Sequence, residues 1–437
     1  MAGDFFPTWT EKHHGVIAPD ERLPMGQTAM MGVQHVIAMF GATILGPLLM
    51  GFDPNVAILM SGIGTLLFFV VTAGRVPSYL GSSFAFIGPV AAATAYTAAF
   101  TPNPNVSVAL GGIVVCGVVY FLMGVLVHFM GTSWIEKLMP PVVTGAVVAV
   151  IGLNLAGVAV MGAKASSADA WYMMMTVVCI AATAVFGAGM IRRLLILVGL
   201  LLATLLYVLF VNVLGWGVGG EHGAKAFDFS KVSDAPWWGV PTLTSPVFDT
   251  QAIWLIAPIA VILIAENLGH LRAISGMMGK DMNPYMGRAF MGDGLATALS
   301  GFFGGTGVTT YAENIGVMAV TKIYSTLAFV FAGVFAILLG FSPKVGALIA
   351  SIPAPVLGGV SIVVFGLIAV AGAKIWVDNK VDFSKNHNLI VAAVTLIVGA
   401  GNMSLHIGSF ELGGIGVATF GAIILYAFLR LGANRID

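Results

Sequence analysis

The chain has 437 residues, of which 58% are hydrophobic and 9% charged, with 19 basic and 19 acidic side chains and a formal net charge of zero. A soluble domain carries roughly a quarter charged residues, so a water-soluble fold of this length could not hide so much apolar surface. The absence of a basic excess to neutralise phosphates excludes a nucleic-acid binder, disorder and collagen fall to the same composition, and a polytopic membrane protein remains.

Residues 1–28 form a polar tail with Asp4, Glu11, Lys12, Asp20, Glu21 and Arg22. The tail lacks the short basic start and short apolar core of a cleavable signal, so the first apolar run is expected to serve as an uncleaved insertion signal. A helix needs about 20 apolar residues to cross the hydrocarbon core. On that template, spans are predicted near 29–50, 55–73, 79–99, 107–130, 140–162, 171–190 and 194–216. A polar stretch over 217–250 intervenes, and further spans follow near 252–271, 288–303, 308–321, 324–342, 353–373, 387–402 and 411–431. The expected fold is therefore all-α and polytopic, with fourteen transmembrane segments split seven and seven. The 56 glycines suit it, because small residues let membrane helices approach closely. Cys116 and Cys179 both lie in apolar runs and suggest neither a disulfide nor a metal framework.

Loop charges agree with this layout. With both termini cytoplasmic, fifteen Lys and Arg side chains fall inside, and only Lys164, Lys225, Lys231 and Lys344 fall outside. One missed span would reverse every later loop and spoil the asymmetry. An odd number of spans per half makes the second half enter the membrane inverted, the architecture of many secondary transporters, whose sites lie where broken helices meet near the midplane. The third span of each half carries such a break. One reads Gly81-Ser82-Ser83-Phe84-Ala85-Phe86-Ile87-Gly88-Pro89, and the other runs Gly304-Gly305-Thr306-Gly307-Val308-Thr309-Thr310-Tyr311-Ala312-Glu313-Asn314-Ile315-Gly316. Each reads as a short extended segment followed by a half-helix, and the two could pair. Extended backbone at this depth is tolerated only inside protein or along a cavity. A Gly-rich packing helix is the plainer alternative for either segment alone.

Few charges remain at membrane depth. Glu266 sits in the middle of the eighth span, with His270 four residues on and so on the same face. Glu313 lies at the break of the tenth span, Asp293 near the start of the ninth, and Gln34 and His35 in the first. A carboxylate at the bilayer centre costs at least about 2.5 kcal/mol, so acids retained there are usually functional or paired. Glu266 and His270 could alternatively form a structural pair, Glu313 could merely cap its half-helix, His35 could be a packing histidine, and Phe84, Phe86 and Tyr311 could be core aromatics. Asp293 could stabilise a helix start or bridge to another helix, and direct contact with substrate is not expected of it. A cavity with two carboxylates, one or two imidazoles, freed backbone N–H groups and aromatic faces suits a small planar heterocycle with alternating N–H and C=O groups. A large anion suits it poorly. No His-x-x-x-His or Gly-x-Ser-x-Gly pattern lies at depth, so an enzyme is not expected.

The run Glu313-Asn314-Ile315-Gly316-Val317-Met318-Ala319-Val320-Thr321-Lys322 resembles the signature of the nucleobase–ascorbate transporter family, and Gln34-His35 is similar to a second motif of that family. The segments Tyr79-Leu80-Gly81-Ser82-Ser83-Phe84-Ala85-Phe86 and Ala265-Glu266-Asn267-Leu268-Gly269-His270 resemble its bacterial uracil permease group, and most nearly the permeases of pyrimidine-utilisation operons. The resemblance implies a core domain of 29–130 (spans 1–4) and 252–342 (spans 8–11), and a gate domain of 140–216 (spans 5–7) and 353–431 (spans 12–14). The loop 217–250 would be periplasmic. It further implies that Glu266 and Glu313 grip the base, that main-chain groups of Phe84 and Ala312 complete the polar contacts, and that His270 takes part in proton coupling. Ala312 departs from the usual glycine; its N–H survives, and the added methyl is expected to narrow the cavity. The residue at Asp293 also departs from the pattern, and no role is carried onto it. Ser83 and Tyr311 are expected among the substrate contacts, with Gln34, His35 and Asn314 in support. Purine-type relatives often have Gln where Glu313 stands, so a Glu favours uracil, with thymine next, over xanthine or urate. The expectation is uracil import by proton symport in a homodimer of the bacterial inner membrane, with the proton as coupling ion and no cofactor or metal. A purine permease, sodium coupling and a passive channel remain open.

Overall fold

The computed structural model describes residues 5–97, 100–161, 167–217, 224–407 and 410–433. The ends of the third and fifth expected spans, Lys164 and part of the 217–250 loop lie outside these residues. The tail carries two short strands, β1 (Thr10–Glu11) and β2 (Glu21–Arg22), paired in parallel. The first half then runs through α1 (Met25–Met50), α2 (Pro54–Val71), β3 (Leu80–Ser82), α3 (Ile87–Thr94), α4 (Val106–Met130), α5 (Ser133–Leu138), α6 (Pro141–Asn154), α7 (Ala156–Met161), α8 (Ser167–Phe186), α9 (Met190–Arg193) and α10 (Leu195–Tyr207). A short α11 (Ser230–Asp234) lies in the connecting loop. The second half comprises α12 (Thr250–Ile256), α13 (Ile259–Met278), α14 (Asn283–Phe302), β4 (Val308–Thr310), α15 (Ala312–Thr321), α16 (Thr326–Gly340), α17 (Pro343–Ala350), α18 (Ala354–Asp378), α19 (Asn386–Ala400), β5 (Leu405–Ile407), β6 (Phe410–Leu412) and α20 (Gly414–Ala433).

Each expected span coincides with one helix or with two successive elements. Among the described residues nine helices are long and apolar enough to cross a membrane, and α16 with α17 makes a tenth if counted as one span bent by 79°. The remaining segments fall short for visible reasons. Spans 3 and 10 are broken into strand and half-helix, α19 has only 15 residues, and α14 carries Arg288 and Asp293. Helix limits follow local chemistry. Pro54 opens α2 behind Asp53, whose carboxylate accepts from the Asn55 N–H at 2.8 Å. Gly51 closes α1 in the left-handed conformation, at φ +72°. Pro258 interrupts the eighth span between α12 and α13, and α13 then continues beyond the expected boundary to Met278.

Two packing groups emerge. In one, α4 lies on α14, and α2 lies on α14 and α16, with α1 against α16. In the other, α6 packs on α18 and α19, and α8 on α10 and α18. Both are sealed by glycine. A Cβ on Gly117 of α4 would stand 2.3 Å from the Ala298 amide nitrogen of α14, and one on Gly145 of α6 would stand 2.8 Å from the Gly372 carbonyl of α18. Only the missing side chain allows such backbone approach in lipid, where dispersion contacts replace the hydrophobic drive.

The broken spans meet in the centre. β3 and β4 form an antiparallel pair, with Leu80 opposite Thr310, Gly81 opposite Thr309 and Ser82 opposite Val308. Both strands are fully buried. Their leftover polar groups are met by neighbouring helices: the Leu80 N–H donates to Thr65 Oγ1 (3.0 Å), and Thr297 Oγ1 donates to the Val308 carbonyl (3.0 Å). This satisfies the demand that non-helical backbone at membrane depth be paired within protein. The tail folds back onto the same assembly. The Ile17 N–H donates to the Lys322 carbonyl at the end of α15, and the Tyr324 N–H returns a bond to Ile17.

Candidate functional site

The strand pair aims two half-helices away from one central point. α15 begins at Ala312, immediately after β4, and Glu313 lies in its first turn, where the orphan N–H groups and the helix dipole favour an acid. The Glu313 carboxylate lies close to its own main-chain N–H. Glu266 projects from α13 and is near enough to Glu313 for the two charges to interact. Both acids come from the second half of the chain, while the first half supplies β3 beneath them.

Two adjoining cavities open onto these acids. One, of about 680 Å³, is lined by Ala312, Glu313, Gly316, Leu367 and Arg192, among others. The second, of about 510 Å³, is lined by Glu266, Gly269, His270, Ala312 and Lys374. Ala312, Ile368 and Ala371 border both, so Ala312 stands at the junction. The basic residues Arg192, Arg272 and Lys374 also reach these spaces. Buried Glu266 Oε2 has no hydrogen-bond partner among the described residues, which leaves an acceptor free for a ligand N–H.

His270, expected beside Glu266, is there, and it is wired inward. Its Nδ1 lies 2.9 Å from Thr310 Oγ1 in β4. Thr310 Oγ1 donates to Asn267 Oδ1, and Asn267 Nδ2 donates to Asp293 and to the Tyr120 hydroxyl. Tyr120 itself lies 3.3 Å from Asp293. Asp293 is fully buried on α14 and bridges to α13 and α4 rather than reaching a cavity. The sequence gives Thr310, Asn267 and Tyr120 no expected role. Asn267 and Thr310 lie inside motifs singled out for other members, whereas Tyr120 sits in a plain apolar run that offers no signal.

The supporting group is also assembled. Asn314 Nδ2 donates to the His35 carbonyl at 3.0 Å and lies 3.1 Å from His35 Nδ1, which staples α15 to α1. The His35 ring packs on Phe329 at 4.3 Å between centroids. Gln34 is buried beside it, with Nε2 unpaired among the described residues.

Three expected contact residues line neither cavity. Ser83 Oγ accepts from the Ala85 N–H and so caps the turn before α3. The Tyr311 hydroxyl donates to the Ser82 carbonyl at 2.8 Å and accepts from Thr43 Oγ1 at 3.2 Å, tying β4 to β3 and α1. These two side chains frame the strand pair because their polar ends are committed there. The Phe84 ring meets Phe365 of α18 edge-on, at 5.8 Å, one residue beyond Val364, where the larger cavity ends on that helix.

The family model Xan_ur_permease, which describes a permease family, matches residues 26–408. The chain belongs to the nucleobase–ascorbate transporter family. The match takes in both broken spans and every residue of the site. An Escherichia coli (strain K12) protein named as a pyrimidine permease, RutG, is 65% identical over 433 residues, covering 98% of this permease and 96% of that protein. The uracil permease of Paenibacillus larvae is 41% identical over 426 residues, covering 95% and 97%. Among solved structures, the transmembrane domain of the cyanobacterial bicarbonate transporter BicA superposes with a TM-score of 0.61 at 16% identity, over 92% of this chain and 96% of that one. That likeness shows the fold alone. The chain is thus a multi-pass membrane permease and not an enzyme.

Proposed function

We propose that this permease imports uracil, with thymine as a second candidate, by proton symport across the bacterial inner membrane. The observation that carries the reading is the placement of Glu266 and Glu313 on adjoining cavities where α15 begins, with a buried carboxylate oxygen left unpartnered. Carboxylates accept from ring N–H groups, and the first-turn N–H groups near Ala312 can donate to a ring carbonyl. Glu313 is the main anchor, and Glu266 with His270 is the coupling pair. The kinship with proteins named as uracil and pyrimidine permeases supports the substrate class.

Movement in this reading follows the two packing groups. The group holding α1, α2, α4, α13, α14 and α16 is the core, and the group holding α6, α8, α10, α18, α19 and α20 is the gate. The two sevens are inverted repeats, with both termini cytoplasmic and a homodimer joined through the gate. The cavities lie between core and gate and include Arg192, Arg272 and Lys374, which the charge asymmetry places on the cytoplasmic side. Alternating access then amounts to core moving against gate about the Phe84–Phe365 contact. Reconstituted protein should accumulate uracil when an inward proton gradient is imposed. Uptake indifferent to the gradient removes the proton from the scheme, flux without accumulation indicates a channel, and strong competition by xanthine indicates a purine permease.

A further inference from the structure

The hydrogen-bond chain behind His270 has a direction, and the direction determines which ring nitrogen carries the proton. Asn267 is its pivot. One end of the Asn267 amide meets two acceptors, Asp293 Oδ2 and the Tyr120 oxygen. With Asp293 Oδ2 unprotonated, Oδ2 accepts, and that end is the NH2 group. The opposite end, Asn267 Oδ1, accepts from Thr310 Oγ1. A threonine hydroxyl has one hydrogen, and here it is spent on Asn267. Thr310 Oγ1 can then only accept from His270, so Nδ1 must be the protonated nitrogen.

We propose that Asp293 and Tyr120 act through Asn267 and Thr310 as positioning residues that hold His270 in its Nδ1–H tautomer, leaving the Nε2 lone pair to the cavity that Glu266 also lines. Nε2 is then the atom that takes the coupling proton. The inference rests on the proposed role of His270 in coupling. The relay accounts for a feature otherwise without purpose: a fully buried acid on α14, outside both cavities, with Oδ1 unpartnered among the described residues. It also explains why β4 carries threonine at 310, where valine would serve the strand equally well. The titratable and charged groups that line the cavity with His270 are Glu266 and Arg272 on its own helix and Lys374 and Asp378 on α18, while Glu313 and Arg192 line the adjoining cavity. Asp293 and Tyr120 reach His270 only through the relay.

The test is 15N NMR of histidine-labelled protein in nanodiscs, with His270→Gln used to assign the ring signals. Wild type should show a protonated Nδ1 and a bare Nε2 without any substrate present. Thr310→Val keeps the strand and deletes the hydroxyl, so both tautomers should populate. With the two tautomers equally populated, uptake at saturating uracil should then fall about twofold, since only molecules with a bare Nε2 accept the proton, while the KM for uracil changes little. Thr310→Ser should restore both signals. Asn267→Ala, which removes the acceptor for the Thr310 hydroxyl hydrogen, should scramble the tautomer in the same way. An Nε2–H tautomer in wild type, or a Thr310→Val spectrum identical to wild type, overturns the relay. A correct tautomer with pH-independent uptake would instead refute the coupling role of His270 while leaving the relay standing.

Discussion

Replacing Gly117 with alanine should force α4 and α14 apart. The new methyl would stand 2.3 Å from the Ala298 amide nitrogen and 2.7 Å from the Gly294 carbonyl. Both obstacles are main chain, so no rotamer change relieves them, and restoring ordinary contact requires a shift of about 1 Å. Overpacking of this kind costs roughly 1–3 kcal/mol, against about 0.5–1 kcal/mol gained by removing a helical glycine. The net expectation is a loss of about 1–2 kcal/mol. The displaced helices carry Tyr120 and Asp293, which are 3.3 Å apart, so the same change should loosen the relay behind His270. Gly276 on α13 is the matched control, because a Cβ there meets nothing within 4 Å. Heating the detergent-solubilised protein and measuring the monodisperse fraction by gel filtration separates the two. Gly117→Ala should lower the midpoint by a few degrees and Gly276→Ala should leave it unchanged or raise it. A Gly117→Ala protein as stable as wild type would refute the close-packing argument.

Glu313→Gln keeps the shape of the anchor and removes its charge. Exchanging a charge-assisted bond for a neutral one loses about 1–2 kcal/mol, so uracil binding measured by calorimetry should weaken roughly 5–30-fold. Unchanged affinity would remove Glu313 from the anchoring role. Asn314→Ala leaves the buried His35 carbonyl and ring nitrogen without their partner, and should cost about 2–3 kcal/mol in the same heating assay. The tail should be sensitive to acid. The Ala18 N–H and then Lys12 hold the Glu21 carboxyl below its ordinary value of 4.5, so its stabilising contribution is present above that value and lost as pH falls through the lower, folded-state value. Protection factors for hydrogen exchange over residues 9–22 should therefore fall in acid, and Glu21→Gln should show the lower protection already at neutral pH.

Much of the fold was legible because a bilayer imposes simple demands. Long apolar runs must cross it, and basic loops sort to one side. Pro258 and the Gly-rich entries at Gly81 and Gly304 mark where helices break. The acids Glu266 and Glu313 stood out because nothing else at that depth is charged without a reason. Their neighbours were harder to read. Ser83 and Tyr311 read as contacts because they flank the breaks, yet the Ser83 hydroxyl caps the turn before α3 and the Tyr311 hydroxyl ties β4 to β3 and α1. Tyr120 is 147 residues from Asn267 and 173 from Asp293, and the plain apolar run around it announces neither partner.

The sequence by itself determined the class of solvent, a polytopic helical fold, the two broken spans and the buried carboxylates Glu266 and Glu313. Tertiary structure alone decided that Leu80 lies opposite Thr310, that Asn267 joins His270 to Asp293, and that Ala312 sits where two cavities meet. The physical reason is the range of the forces involved. Hydropathy and backbone breaking act on residues near in sequence, so they can be read along the chain. Hydrogen-bond partners are chosen only after distant helices have packed, and that choice depends on which glycines let them close to contact.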